Sequence, residues 1–320
     1  MEAWYFIHKK LSEGIDVQLL YVVDNERSSP GRRGFKMAVS ADGEYIGTIG
    51  GGIMEHKLTE KAKARLHEAG SSVILMRQYH DKEHSKERSG MICEGSQVVV
   101  FIPLTAKHEA LIRNIIDAPQ SFIRLSPAGL SLLEIAETKF VYESETSWEY
   151  TEQVNVRPVI HIIGGGHVSL ALSELMCYLG FYSKVYDDRP SLHTILQNFF
   201  ANEKIIVPDY EKIADYVDSN RTHFCVVMTM GYRTDKIALR HLVNKEFFYL
   251  GMMGSEAKVE TILRELKEEG IAEEALQKVF MPIGVNIFSK TAQEIAVSIA
   301  AEIIREKNKH LPTGRQGSVE

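Results

Sequence analysis

HIIGGGHVSLALSELMCYLGFYSKVYDD, residues 161–188, decides the reading of this chain. A short apolar run ends at Gly164, Gly166 opens an amphipathic helix, and a second apolar run closes on the acidic pair Asp187 and Asp188 roughly twenty residues later. Glycines at a strand-to-helix turn let backbone amides come close to a phosphate, and the helix N-terminus adds the positive end of its dipole. An acid at the end of the second strand stands where a ribose diol would be gripped. The third glycine position of the pattern holds Ser169. A turn kept for packing alone is the alternative to a nucleotide site.

Downstream the same texture repeats, with the apolar runs KIIVP, THFCVVMTM and FFYLGMM separated by the helical patterns DYEKIADYV and TDKIALRHLVN. Such alternation predicts a parallel sheet covered on both faces and joined by right-handed crossovers. The segments MTMGYRTD and LGMMGSEAK follow two successive strands, so Tyr232, Arg233, Asp235, Gly254 and Ser255 would emerge at the carboxyl ends where ligands bind, with Lys258 one turn into the next helix. Ser255 is placed to cap that helix and Gly270 to end it, while Thr291 and Glu294 have capping-box spacing ahead of the last helix.

Upstream the pattern is different. Residues 2–13 read as a helix stopped by Gly14, 18–26 as a buried strand, and Asp42-Gly43 as a hairpin turn with both residues at positive φ. Residues 53–69 read as a helix with Gly70 as its stop; strands follow at VILMRQY and QVVVFIPL, and a helix near 107–116. The stretch 119–157 alternates short strand-like pieces with polar breaks and has no helical period. The expected fold class is therefore α/β: a C-terminal Rossmann-like parallel sheet domain (156–310) behind a β-rich α+β N-terminal domain (1–155), with a disordered tail at 311–320.

Composition bounds the function classes. The 320 residues are 44% hydrophobic and 25% charged, the balance of a globular protein with material for two cores. A net charge of −6 gives no support to nucleic-acid binding, and no apolar run approaches the length of a membrane span. The N-terminus lacks the order of regions of a signal peptide, so a cytoplasmic location is expected. A homodimer is the expected assembly, two-fold closure being the commonest.

Three further features of the first domain could carry chemistry. TIGGGIMEHK (48–57) places Gly50, Gly51 and Gly52 between a strand and a helix, a turn able to nest an anion, with Glu55 one turn in. RSSPGRRG (27–34) offers Arg32 and Arg33, whose guanidiniums could fork onto a phosphate. Cys93, in GMICEG, follows a charged loop and could ligate a soft metal or handle sulfur. Each has a bland alternative: a structural turn, a solvated loop, a small buried thiol. His80, His84 and Cys93 also admit a zinc reading, which no second cysteine pair supports, and Cys177 and Cys225 read as core.

Together these segments resemble the xanthine dehydrogenase accessory factors of the XdhC/CoxI family from about Gln18 to Arg305. The matching pieces are RSSPGRRGFKMAVSADGEYIGTIGGGIMEHKL, GMICEGSQVVVFIPL, IIGGGHVSLALSELMCYLGFYSKVYDDRP, YLGMMGSEAK and MPIGVNIFSKTAQEIAVSIAAEII. The resemblance implies a chaperone that binds molybdenum cofactor (molybdopterin), supports its sulfuration and delivers it to a xanthine dehydrogenase-type apo-enzyme, with a cysteine desulfurase as a second partner. It places the family's cysteine-glycine motif on Cys93 and Gly95, its first glycine turn on Gly50, Gly51 and Gly52, and its nucleotide-type turn on Gly164 and Gly166, beside His167. Glu94 stands where the family has a second glycine, and MGYRTD replaces a histidine-rich segment. The alternative function is an NAD(P)-dependent oxidoreductase, for which His167 and Tyr232 are the nearest proton-transfer groups; a protein-interaction scaffold is the third reading.

Overall fold

The computed structural model describes residues 1–309 except 28, 69, 80–94 and 119–120. The chain divides into two compact units that meet in sequence between Val156 and Arg157.

The first unit opens with helix α1 (Glu2–Ser12), which buries Trp4, Ile7 and Leu11 at helical spacing and ends before Gly14 at φ +75°. Strands β1 (Val17–Arg27), β2 (Lys36–Ser40) and β3 (Tyr45–Gly47) precede helix α2 (Gly52–Leu66), and β4 (Ile74–Tyr79) and β5 (Gly95–Leu104) complete an antiparallel sheet of order β3-β2-β1-β5-β4. Helix α3 (Glu109–Asp117) leads to a second antiparallel sheet, β7-β6-β9-β8, formed by β6 (Phe122–Ser126), β7 (Gly129–Leu133), β8 (Lys139–Ser144) and β9 (Ser147–Gln153). The unbroken apolar run of β1 follows from burial on both faces. Leu19, Tyr21 and Val23 join α1, α3 and the second sheet in one core, while Leu20 and Val22 join Met54, Leu58 and Ala62 of α2 in another. The β2–β3 hairpin forms as expected, but only Gly43 takes positive φ, +93°. Asp42 instead uses its side chain, accepting from Ser40 Oγ and pairing with Lys10, so the loop is longer than a two-residue turn.

The second unit carries β10 (Val159–Ile163), α4 (His167–Tyr178), β11 (Tyr182–Asp187), α5 (His193–Leu196), β12 (Glu203–Ile206), α6 (Ile213–Tyr216), β13 (Asn220–Val227), α7 (Tyr232–Leu242), β14 (Phe247–Met252), α8 (Glu256–Glu268), α9 (Glu273–Leu276) and α10 (Ala292–Lys309). All strand pairings are parallel, in the order β12-β11-β10-β13-β14. The order reverses at β10, which makes the gap between β10 and β13 the switch point where a ligand crevice is expected. Leu172, Met176, Ile299 and Ile303 of α4 and α10 cover one face, and Ile213, Leu239, Leu242, Ile262 and Leu266 of α6, α7 and α8 cover the other. The caps are as read from sequence: Ser255 Oγ accepts from Lys258 N, Glu294 N donates to Thr291 Oγ1, and Thr291 N donates back to Glu294 Oε2. Cys225 is buried in the core. Cys177 is exposed, a correction to its expected core place; the apolar stripe of α4 runs through Leu172 and Met176, leaving Cys177 on the outer face.

Candidate functional site

The turn from β10 into α4 is built by three glycines with different tasks. Gly164 has φ +106°, and a Cβ there would fall 2.3 Å from the Met228 carbonyl oxygen, so only glycine lets β10 pass the end of β13 this closely. A Cβ on Gly165 would strike Ile195 of α5 at 2.3 Å. Gly166, the N-cap of α4, has an ordinary φ of −72° and nothing within 4 Å of its Cβ position. The open side faces a cavity of about 300 Å³ lined by Gly166, His167, Arg189, His193, Thr194 and Thr229, with Met228 and Met230 as apolar walls. The donors it offers an anion are the helix N-terminus and the two imidazoles; the Arg189 guanidinium is paired with Asp187, and the Thr194 and Thr229 hydroxyls donate to Gly165 O and Asp235 Oδ1.

Asp187 is fully buried beneath this turn. Its Oδ2 accepts from Gly165 N at 2.7 Å and from Arg189 Nη2 at 2.8 Å, while Oδ1 accepts from Arg189 N at 2.9 Å and Nε at 2.8 Å. Burial pushes its carboxyl up, but Arg189 and the two amides outweigh burial and hold it below the usual carboxylate range. All its bonds serve the turn, so a ribose diol would have to displace Arg189 to reach it. Ser169, at the third glycine position, is buried, and its hydroxyl finds no partner.

At the Gly254-Ser255 turn the nearby lysine is already paired within the fold. Lys258 Nζ pairs with the buried Asp235 and donates to Met253 O at 2.9 Å, and Asp235 Oδ1 also accepts from Thr229 N at 2.7 Å. These bonds tie α7 and α8 to the end of β13.

In the first unit the turn Gly50-Gly51-Gly52 has φ values of +126°, +76° and +70°. Glu55, read as part of a ligand nest, fills that nest itself: Oε2 accepts from Ile49 N at 2.9 Å, Gly51 N at 3.0 Å and Thr48 Oγ1 at 2.5 Å. An exogenous anion would therefore compete with a carboxylate delivered by the first turn of α2. Pro30 and Gly31 lie against this turn, backbone on backbone; a Cβ on Gly50 would sit 2.6 Å from Gly31 N, and one on Gly31 would sit 2.4 Å from Ile49 O. Gln97 of β5, which sequence reading passed over as a strand residue, stitches the two together. Its Oε1 accepts from Gly31 N at 3.0 Å and Ser29 Oγ at 2.9 Å, and its Nε2 donates to Ile49 O at 3.2 Å. The signal that could have found it is a lone amide in an otherwise apolar strand. Arg32 and Arg33 are both exposed, and Arg33 pairs with Asp24 at 2.6 Å. Gly95 begins β5, and Cys93, His80 and His84 lie outside the described residues. No helix among the described residues is long and apolar enough to cross a membrane.

Comparison with known proteins agrees with this architecture. Residues 160–303 match the XdhC Rossmann domain, and residues 11–80 match the XdhC and CoxI family. YqeB of Escherichia coli strain K12, described as an uncharacterized protein, is 28% identical over 291 residues, covering 90% of this chain; the chain spans 43% of that relative's length. A Bacillus subtilis strain 168 protein, named as a probable xanthine dehydrogenase subunit, is 21% identical, with 93% of this chain and 96% of the relative covered. A crystal structure described as a xanthine dehydrogenase from Bacillus halodurans superposes with a TM-score of 0.74 over 97% of each chain at 21% identity, a likeness of fold. With both of its units matched and the nucleotide-type turn inside the matched stretch, the chain belongs to the XdhC and CoxI family.

Proposed function

We propose that this protein is an accessory factor that binds molybdenum cofactor and prepares it for a xanthine dehydrogenase-type enzyme. The observation that carries the reading is the cavity at the β10–β13 switch point, where the N-terminus of α4 is left open beside Gly166. A pterin cofactor brings a phosphate, and the donors lining this cavity fit such a group. The α4 amides supply positive potential, the His167 and His193 imidazoles stand beside them, and Arg189, which is paired with Asp187, would have to give up part of that pair to reach a phosphate. When bound, the cofactor would supply the molybdenum centre that the target enzyme uses. This chain's part is to hold the phosphate end, orient it and shield it. Cys93 is the thiol proposed to face the metal or its sulfur source, because thiolate is soft enough for either.

Family membership and the name of the Bacillus subtilis relative support an accessory role beside a xanthine dehydrogenase-type enzyme. Against the NAD(P)-dependent alternative stands the engagement of Asp187 by Gly165 and Arg189, which takes away the acid that would grip a ribose. The test is cofactor content after co-expression with a molybdopterin pathway, read as the fluorescence of the oxidised pterin. Gly166→Leu keeps an allowed backbone and fills the cavity, so occupancy is expected to fall by about tenfold or more. Undiminished occupancy in Gly166→Leu would overturn the site, and Cys93→Ala separates binding from sulfur handling.

A further inference from the structure

A second cluster of ligating groups lies toward the amino ends of the same strands, away from the cavity. His161, in the middle of β10, is fully buried, and its Nε2 stands 3.2 Å from Nδ1 of His223 on β13. Asp218, in the loop leading to β13, brings Oδ1 to 4.0 Å from His161 Nε2 and Oδ2 to 3.8 Å from His223 Nδ1. One ligand atom from each of the three residues lies within 4.8 Å of the others. We propose that His161, Asp218 and His223 bind one divalent transition-metal ion of the zinc class.

The spacing fits an ion. With metal–nitrogen bonds of about 2.1 Å, two nitrogens 3.2 Å apart subtend about 100° at the metal, close to a tetrahedral angle. The Asp218 carboxylate is on an exposed side chain; its two oxygens approach different imidazoles, and one ligand atom lies within 4.8 Å of both nitrogens, so closing the third corner takes an inward swing of about 1 Å. Two imidazoles and one carboxylate leave a fourth position for water, the arrangement of an open zinc site. His161 also has the supporting contact that metal-bound histidines require: its Nδ1 lies 2.9 Å from the Tyr186 hydroxyl. Donation of Nδ1–H to that oxygen turns the lone pair of Nε2 toward His223 and Asp218. Burying an imidazole in the middle of a central parallel strand is costly unless both nitrogens are used, and these partners use both.

Two lysines oppose the ion: Lys245, which donates to Ala214 O and Val217 O beside Asp218, and Lys184, which competes directly. Lys184 Nζ lies 3.2 Å from Asp218 Oδ1 and 3.5 Å from Glu203 Oε1, so it competes for one carboxylate oxygen and leaves Oδ2 toward His223. The site is independent of the cofactor reading, since it uses different residues at the other end of the strands.

The test uses the full chain stripped of metal by chelation and titrated with Co²⁺, followed by visible absorption and by equilibrium dialysis. Expected is one Co²⁺ per chain with ligand-field bands and no thiolate charge-transfer band, and a loss of affinity of at least about tenfold in both His223→Ala and Asp218→Asn. Both residues lie near the surface, and circular dichroism of each variant checks that the fold is kept. His161→Ala alone would not serve, because it empties a buried position. Absence of stoichiometric Co²⁺ uptake, a thiolate band, or uptake unchanged in the two variants would overturn the proposal.

Discussion

The string Ile-Gly-Gly-Gly occurs twice, at 49–52 and 163–166, each time leading into a helix, and the two copies have opposite fates. In the first all three glycines take positive φ, and the carboxylate that accepts from the Ile49 and Gly51 amides comes from the very helix they open, Glu55. In the second only Gly164 is left-handed; the carboxylate comes from the neighbouring strand, reaches Gly165 alone, and is itself held by Arg189. One turn is saturated from within, whereas the other keeps an open flank at Gly166. A glycine run at a strand-to-helix turn therefore supplies anion-binding geometry, and the position of the nearest internal carboxylate decides whether a ligand can use it.

Four substitutions sharpen that contrast, in descending order of effect. Gly164→Ala is expected to cost about 3 kcal/mol or more, from backbone strain plus collision with Met228 O, read as a lower urea midpoint. A loss below about 1 kcal/mol would mean the strand crossing is slack. Asp187→Asn is expected to cost about 2 kcal/mol at neutral pH, because it leaves Arg189 without its buried partner while Arg189 keeps some contact with water. Since the folded carboxyl lies below its ordinary value, this contribution is present above about pH 4 and disappears as pH falls through the folded pKa. Wild-type and variant stabilities should converge in acid, and parallel curves would deny the charge its role. Glu55→Gln should cost about 1 kcal/mol, since a neutral amide oxygen still accepts from Ile49 and Gly51 but without charge. Calorimetry resolving the unfolding of the first unit checks it; no change would show that solvent already satisfies the nest. Gly166→Ala should move stability by no more than about 0.5 kcal/mol, the outcome that best marks the open flank.

Much of the architecture was readable because it rests on periodicity. The apolar runs at 159–163, 224–227 and 247–252 are buried on two faces, and the helices between the strands carry one apolar stripe each. Caps were readable for the same reason, since Ser255 and the Thr291/Glu294 pair act within a few residues of themselves. The site was only half legible. Gly164 and Gly166 fell where the spacing put them, but nothing local distinguishes an acid that faces a ligand from one that braces a turn. Asp187 became a brace because Arg189 is two residues away and curls back, and Glu55 closed its own nest across a helix turn. Gln97 escaped notice because the loop groups it stitches together, Ser29, Gly31 and Ile49, are 48 to 68 residues distant in sequence. The His161, Asp218 and His223 cluster escaped for that reason too: it is assembled by strand register, which pairs His161 with Cys225 and brings His223 close.

The last helix has a practical consequence. Glu302 of α10 is buried, accepting from Tyr249 Oη at 2.7 Å and Gly284 N at 2.8 Å, and Ile299 and Ile303 close one face of the parallel sheet. A protease that cut the chain just ahead of Ala292 would uncover Ile160, Ile162 and Val226 together and leave the Tyr249 hydroxyl without its acceptor. Limited digestion should accordingly spare α10 for as long as the second unit stays native, and release of that fragment should coincide with aggregation rather than with a trimmed, working domain.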